Sequence, residues 1–258
     1  MAKTIVFMHG AFMTPLCWEH WVPWFEAKGY RCSAPAWPGR DRPVEALRTE
    51  HPDPELGRLT LGAVVGRYAE AIDALERKPI LIGHSIGGLV ARILLSRGAA
   101  AAGVAIHSTP SGAVLPISQS YWRSNWGMIS PFADAGTPKA LTFEEFQQTF
   151  ANSLAPEAQR AAFERYVVPE SRRVARDARG DAGRIDFARP HPPLLMTAGT
   201  LDRVVPARLG FNSFSRYRQR GSITEFRAFD GRDHMVIVEP GWEEVADFVA
   251  HWLGKLGG

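Results

Sequence analysis

The chain has 258 residues, 45% hydrophobic and 22% charged, which is enough for one substantial core and falls in the size range of a single α/β domain. Its 30 basic and 27 acidic residues leave a net charge of +3, and without a long basic run this gives no case for nucleic-acid binding. Two cysteines, Cys17 and Cys32, make neither a disulfide framework nor a metal quartet and fit a reducing compartment. The opening MAKTIVFMHG has an apolar run too short for a signal-peptide core or a membrane span, so a cytoplasmic protein without integral membrane association is expected.

Strand-like and helix-like segments alternate, which predicts a mainly parallel sheet covered by helices. Residues 4–8 read as the first buried strand, 18–27 as a helix ending at Lys28-Gly29, and 30–34 as a strand stopped by Pro35. Residues 38–58, rich in proline and charge, read as a surface connection, and 61–75 as a helix. Pro79-Ile80-Leu81-Ile82 is a short buried strand. Leu89, Val90, Ile93 and Leu94 then repeat at helical spacing, so only Gly83 to Gly88 remain for the turn between them, with Ser85 at its apex. Residues 103–107 form the next strand.

The alternation then breaks. From Ser111 to Arg189 no apolar strand is evident. Helical stretches are expected over 143–153 and 156–166, and the arginine-rich run from Arg172 to Arg184, interrupted by Asp177 and Asp181, is expected to be a solvated face. The order resumes with a strand at 194–197, a helix at 207–214, a strand at 223–229 and a last helix at 243–253. Residues 1–110 and 190–258 therefore form the expected core, and 111–189 an inserted helical cap over the C-terminal edge of the sheet, where open α/β sheets place ligands.

Gly83-His84-Ser85-Ile86-Gly87 matches G-x-S-x-G, a pattern that exposes a serine when it sits on a sharp strand-to-helix turn. A serine hydroxyl needs a base, usually a histidine held by a carboxylate. Of eight histidines, His84 adjoins the serine but should point away from it, and His9 and His107 end strands and should line or buttress a site. His234 lies in GRDHM, between the last strand and the last helix, in a loop that opens at the serine's edge of the sheet. Asp202, in AGTLDRVVP after the preceding strand, reaches the same edge; Asp230 and Asp233 are the competing carboxylates.

These four stretches, MHGAF, GHSIGG, AGTLDRVVP and GRDHM, occur in an order that resembles the α/β-hydrolase superfamily over nearly the whole chain. VFMHGAFMTPLCWEHW and the small capped body are similar to the esterase and hydroxynitrile lyase group of plants and its bacterial relatives. The resemblance implies a triad of Ser85, Asp202 and His234. It also implies an oxyanion hole from the backbone N–H of Ile86 and that of Ala11, with Phe12 as the alternative to Ala11. A serine at position 85 argues against the dehalogenases and epoxide hydrolases of the superfamily, which attack with a carboxylate.

The expected activity is cofactor-independent hydrolysis of small-molecule carboxylic esters, with no metal. Phe12, Tyr121, Trp122, Trp126 and Met235 are expected in the pocket wall. The same triad also serves hydroxynitrile lyases, which tend to carry a cap lysine near the site; Lys139 is the only lysine between residues 111 and 189. The rival readings are a perhydrolase, a hydrolase of carbon–carbon or amide bonds, or a receptor-like member with little turnover.

Overall fold

A computed structural model describes residues 3–218 and 221–256. Six strands form one sheet: β1 (Thr4–Met8), β2 (Arg31–Ser33), β3 (Ile80–His84), β4 (Ala102–Ile106), β5 (Leu194–Gly199) and β6 (Thr224–Phe229). Their order across the sheet is β2-β1-β3-β4-β5-β6, with every pairing parallel. β1, β3, β4 and β5 are apolar and buried nearly throughout, as strands covered on both faces must be. Alternate residues of each strand feed opposite layers. Ile5, Phe7, Ile82 and Val104 join one core cluster, while Val6, Met8, Leu81 and Ala105 join the other.

The first layer is completed by α1 (Trp21–Glu26) and α11 (Glu243–Lys255), whose buried Trp21, Phe25, Val249 and Trp252 pack on the sheet. The second is built by α4 (Leu61–Asp73) and α5 (Ile86–Ser96), and α10 (Ala207–Phe214) covers β5 and β6. The helix expected over 18–27 is split. A 3-10 turn at Pro15–Trp18, capped by the Thr14 hydroxyl, precedes α1. The connection at 38–58 is more ordered than its composition implies. It holds α2 (Val44–Thr49) and α3 (Pro54–Arg58), because Leu47 and Leu56 find buried positions there.

Between β4 and β5 lie α6 (Gln119–Ile129), α7 (Phe143–Thr149), α8 (Pro156–Tyr166) and α9 (Arg172–Arg179). α7 begins with a full capping box, Thr142 and Glu145 each bonding the other's backbone N–H. α9 overturns the solvated face expected of the arginine run. Val174 and Ala178 are buried in the second core layer against α4 and α5. Arg176 donates to the Ser130 and Ala133 carbonyls at 2.6 and 2.5 Å, Arg173 donates to Gly57, and the Arg179 guanidinium lies over the Trp122 ring. The arginines thus pin loops by their heads while their helix packs inward. Among the described residues no helix is long and apolar enough to cross a membrane.

Candidate active site

The strand β3 runs directly into α5 through a single residue, Ser85, with φ 54° and ψ −119°. A non-glycine residue in such a conformation is strained and persists only where its surroundings hold it. Here they do: the Ser85 N–H donates to Ile106, and the Ser85 carbonyl accepts from Leu89 and Thr109. The flanking glycines permit the sharp approach. A Cβ on Gly83 would lie 2.1 Å from the Gly87 carbonyl oxygen, and one on Gly87 would lie 2.1 Å from that of Met8. Side chains at either position would force β3, α5 and β1 apart.

The C-terminal ends of neighbouring strands bring the other groups to this point. His234, in the loop after β6, has Nε2 2.9 Å from Ser85 Oγ and Nδ1 2.7 Å from Asp202 Oδ2, in the loop after β5. A carboxylate only accepts, so Nδ1 carries a proton, and Nε2 is the ring nitrogen that faces the serine hydroxyl. The other carboxylate oxygen, Oδ1, accepts from the N–H groups of Val204 and Val205 at 2.9 and 2.7 Å. His107 Nδ1 stands 3.2 Å from Oδ2. Burial pushes the Asp202 carboxyl up, but the facing His234, its hydrogen bond and the nearby His107 ring outweigh it and hold the group well below the usual carboxylate range.

The competing carboxylates are otherwise engaged. Asp230 accepts from Thr200, and Asp233 accepts from the Ser153 N–H and hydroxyl and from the Met235 N–H. His84 turns away from Ser85, and its Nε2 bonds the backbone carbonyl of His234 at 2.9 Å. Burial, then the nearby His234 and His107, push its pKa well down, so it acts as a neutral donor fixing the His234 loop. His9 is stacked on Trp37, and burial lowers its pKa to about 3, so it too is neutral.

Ala11 and Ile86 line one cavity with Ser85, and among the described residues neither amide N–H has an acceptor. The Phe12 N–H is taken: it donates to Glu170 Oε2 at 3.2 Å. Phe12 itself has φ 62° and is pinned further by Val168, whose N–H donates to its carbonyl. Glu170 is wholly buried and pairs with the buried Arg40 at 3.1 Å, while its Oε1 accepts from Ser171. One buried ion pair therefore holds the loop that carries Ala11.

Of the five residues expected in the pocket wall, Phe12 and Tyr121 line the Ser85 cavity. The other three lie elsewhere. Met235 is fully buried in the first core layer, Trp122 bonds the Pro116 carbonyl under Arg179, and Trp126 is 47% exposed. The wall is instead completed by Asn125, Met128, Ile129, Phe150, Ala175 and Val204, with Thr109. Tyr121, Asn125, Met128 and Ile129 stand at i, i+4, i+7 and i+8 of α6, one face of a helix. Trp122 and Trp126 each follow one of these residues and are turned about 100° from it, past the Ile129 edge of the face. The spacing carried the signal that side-chain size obscured.

His107, Asp202 and His234 also bring ligand-type atoms within 4.8 Å, the one such group among the described residues. Asp202 and His234 are already committed to each other and to Ser85, so a metal there would have to break that chain.

Solved structures of similar shape include a monoacylglycerol lipase from Paleococcus ferrophilus, with 18% identity, 98% of this chain and 96% of that one covered, and a TM-score of 0.69. A pyrethroid hydrolase from Sphingobium faniae JZ-2 has 19% identity, coverages of 98% and 97% and a TM-score of 0.67. Tomato methylketone synthase I has 13% identity, coverages of 99% and 99% and a TM-score of 0.71. A search of curated proteins by sequence gives no significant match. The family model described as "Alpha/beta hydrolase family" matches residues 5–248, and the chain belongs to that family.

Proposed function

We propose that the protein is a serine hydrolase of carboxylic esters that works through an acyl-enzyme at Ser85. The observation that carries this reading is the buried chain Ser85–His234–Asp202, with contacts of 2.9 and 2.7 Å, on a serine held in a strained turn. Ser85 Oγ attacks the ester carbonyl while His234 Nε2 takes its proton. The ionised Asp202 stabilises the resulting imidazolium and keeps Nδ1 as the protonated nitrogen. The Ala11 and Ile86 N–H groups receive the developing oxyanion; one such donor is typically worth ~10²–10³ in turnover. His234 then protonates the departing alkoxide, and water, deprotonated by the same nitrogen, releases the acid.

The helices between β4 and β5 act as a cap, supplying Tyr121, Asn125, Met128, Ile129 and Phe150 to the wall around Ser85. A lyase reading draws no support from Lys139. Its ammonium is held by Glu145 at 2.7 and 2.8 Å, and it is not among the residues lining the Ser85 cavity.

Fluorophosphonate labelling and phenyl acetate hydrolysis test the reading together. Wild type is expected to label at Ser85 and to turn over the ester. Ser85→Ala should lose labelling and lower turnover by ~10⁴ or more. Labelling without turnover would favour a receptor-like protein, and an active alanine variant would remove Ser85 from the chemistry.

A further inference from the structure

The cavity at Ser85 is small, about 40 Å³, and none of its lining side chains is charged. It shares Phe12, Asn125, Met128 and Phe150 with a second cavity of about 570 Å³ between α6, α7 and the loop after β5. That outer cleft is different in chemistry. Beside the apolar Phe12, Met128, Leu141 and Phe150 it carries the polar Gln119, Ser120, Ser124, Gln148 and Thr149, and it holds three cations, Arg123, Lys139 and Arg203, against one carboxylate, Glu145. Lys139 and Glu145 neutralise each other at 2.7 Å. Arg203 donates to the Gln148 carbonyl at 2.9 Å, which fixes its guanidinium at the cleft without balancing its charge. Arg123 has no hydrogen-bond or ion-pair partner among the described residues. An outer cleft of this volume is large enough for a small-molecule moiety. Two unbalanced guanidiniums in it offer forked donors suited to a carboxylate or phosphate.

We propose that the outer cleft binds an anionic group, so that the esters cleaved at Ser85 carry a carboxylate or phosphate away from the scissile bond, with the apolar part beside Phe12 and Phe150. This specificity rests on the ester-hydrolase reading of Ser85. Steering and binding both follow from it. A positive, partly enclosed cleft concentrates anions at its mouth, and exposed guanidiniums lose that hold as salt rises.

The test compares kcat/KM for neutral phenyl acetate with that for para-acetoxybenzoate, anionic on the alcohol side, and phenyl hemisuccinate, anionic on the acyl side. Intrinsic reactivities differ, so the readout is the change in the anionic-to-neutral ratio. The double variant Arg123→Gln/Arg203→Gln is expected to lower that ratio roughly five- to tenfold for one of the two anionic esters, and the ester affected shows which side enters the cleft. High salt should lower the same ratio in wild type but not in the double variant. Arg67→Gln, an exposed arginine on α4, should keep the wild-type ratio.

Unchanged ratios for both anionic esters in the double variant, with phenyl acetate still turned over, would overturn the anion site and leave the hydrolase reading standing. An equal fall in Arg67→Gln would overturn it too, since net charge alone would then account for the effect. If no ester is turned over, the hydrolase reading fails and calorimetry decides the cleft: wild type should bind benzoate over benzamide and the double variant should lose that preference. Equal preference in both proteins would overturn the site.

Discussion

Asp202 does two separable things at the proposed site: it orients a ring and it carries a charge. Asn at this position can keep the Val204 and Val205 N–H bonds through its carbonyl oxygen. It then presents an amide to His234, which favours the wrong tautomer and removes the charge that stabilises the imidazolium. Asp202→Asn is therefore expected to cut kcat for phenyl acetate by ~10⁴ while circular dichroism shows the fold intact. Asp233→Asn should lower kcat far less, because Asp233 faces Ser153 and Met235 instead of the ring. The reverse ranking in steady-state kinetics would exchange their roles. Sequence order pointed to Asp202 because it follows a strand that ends at the same sheet edge as the β3 turn. That Asp233 turns its carboxylate to the Ser153 loop depends on a contact 80 residues away and has no local signature.

The turn from β3 to α5 shows how an element's geometry selects its residues. Gly87→Ala would put a methyl 2.1 Å from one backbone oxygen and 2.5 Å from another, neither of which can rotate away. A loss of about 3 kcal/mol or more in urea-induced unfolding is expected. Gly66, inside α4, has open space for a methyl, with nothing within 4 Å, so the same substitution there removes only backbone freedom from the unfolded chain. Gly66→Ala should stabilise by about 1 kcal/mol, read as a rise in Tm. The elbow was legible because its glycines lie within six residues of each other. The face of α6 was also written in the chain, as the spacing of Tyr121, Asn125 and Met128, but bulky tryptophans beside it drew attention to the wrong stripe.

Two buried charge arrangements act on the molecule as a whole. Arg40 and Glu170 are 130 residues apart and join the connection after β2, the inserted helical segment and the loop after β1. Arg40→Met would leave Glu170 buried without its partner and is expected to cost about 3–5 kcal/mol by denaturant unfolding, with part regained in Arg40→Met/Glu170→Gln. No recovery in the double variant would mean that Arg40 matters for its packing alone. Glu239, 3% exposed, is pushed up to about 8 by burial and then by the Asp233 charge, against the pull of Arg232. Below its ordinary value of 4.5 both folded and unfolded chains hold this proton. As pH rises, the unfolded chain releases it first, so the folded state loses stability until about pH 8 and then levels off. This contribution should amount to a loss on the order of 5 kcal/mol across that window. Glu239→Gln, neutral throughout, should flatten that part of the stability profile; an unchanged profile would place the titration elsewhere.

The sequence alone determined the alternation of parallel strands and helices, the serine turn, and the order of Ser85, Asp202 and His234. These follow from short-range rules: apolar runs bury, glycines allow crowding, and consecutive parallel strands end at one edge. Only the tertiary structure decided which partners distant groups find. It gave the Phe12 N–H to Glu170, buried Val174 and Ala178 of α9 beneath its arginines, sent Met235 into the core, and left Arg123 and Arg203 around a shared cleft. Burial and pairing are properties of elements packed together, and residues tens of positions apart carry no local mark of the neighbours that folding assigns them.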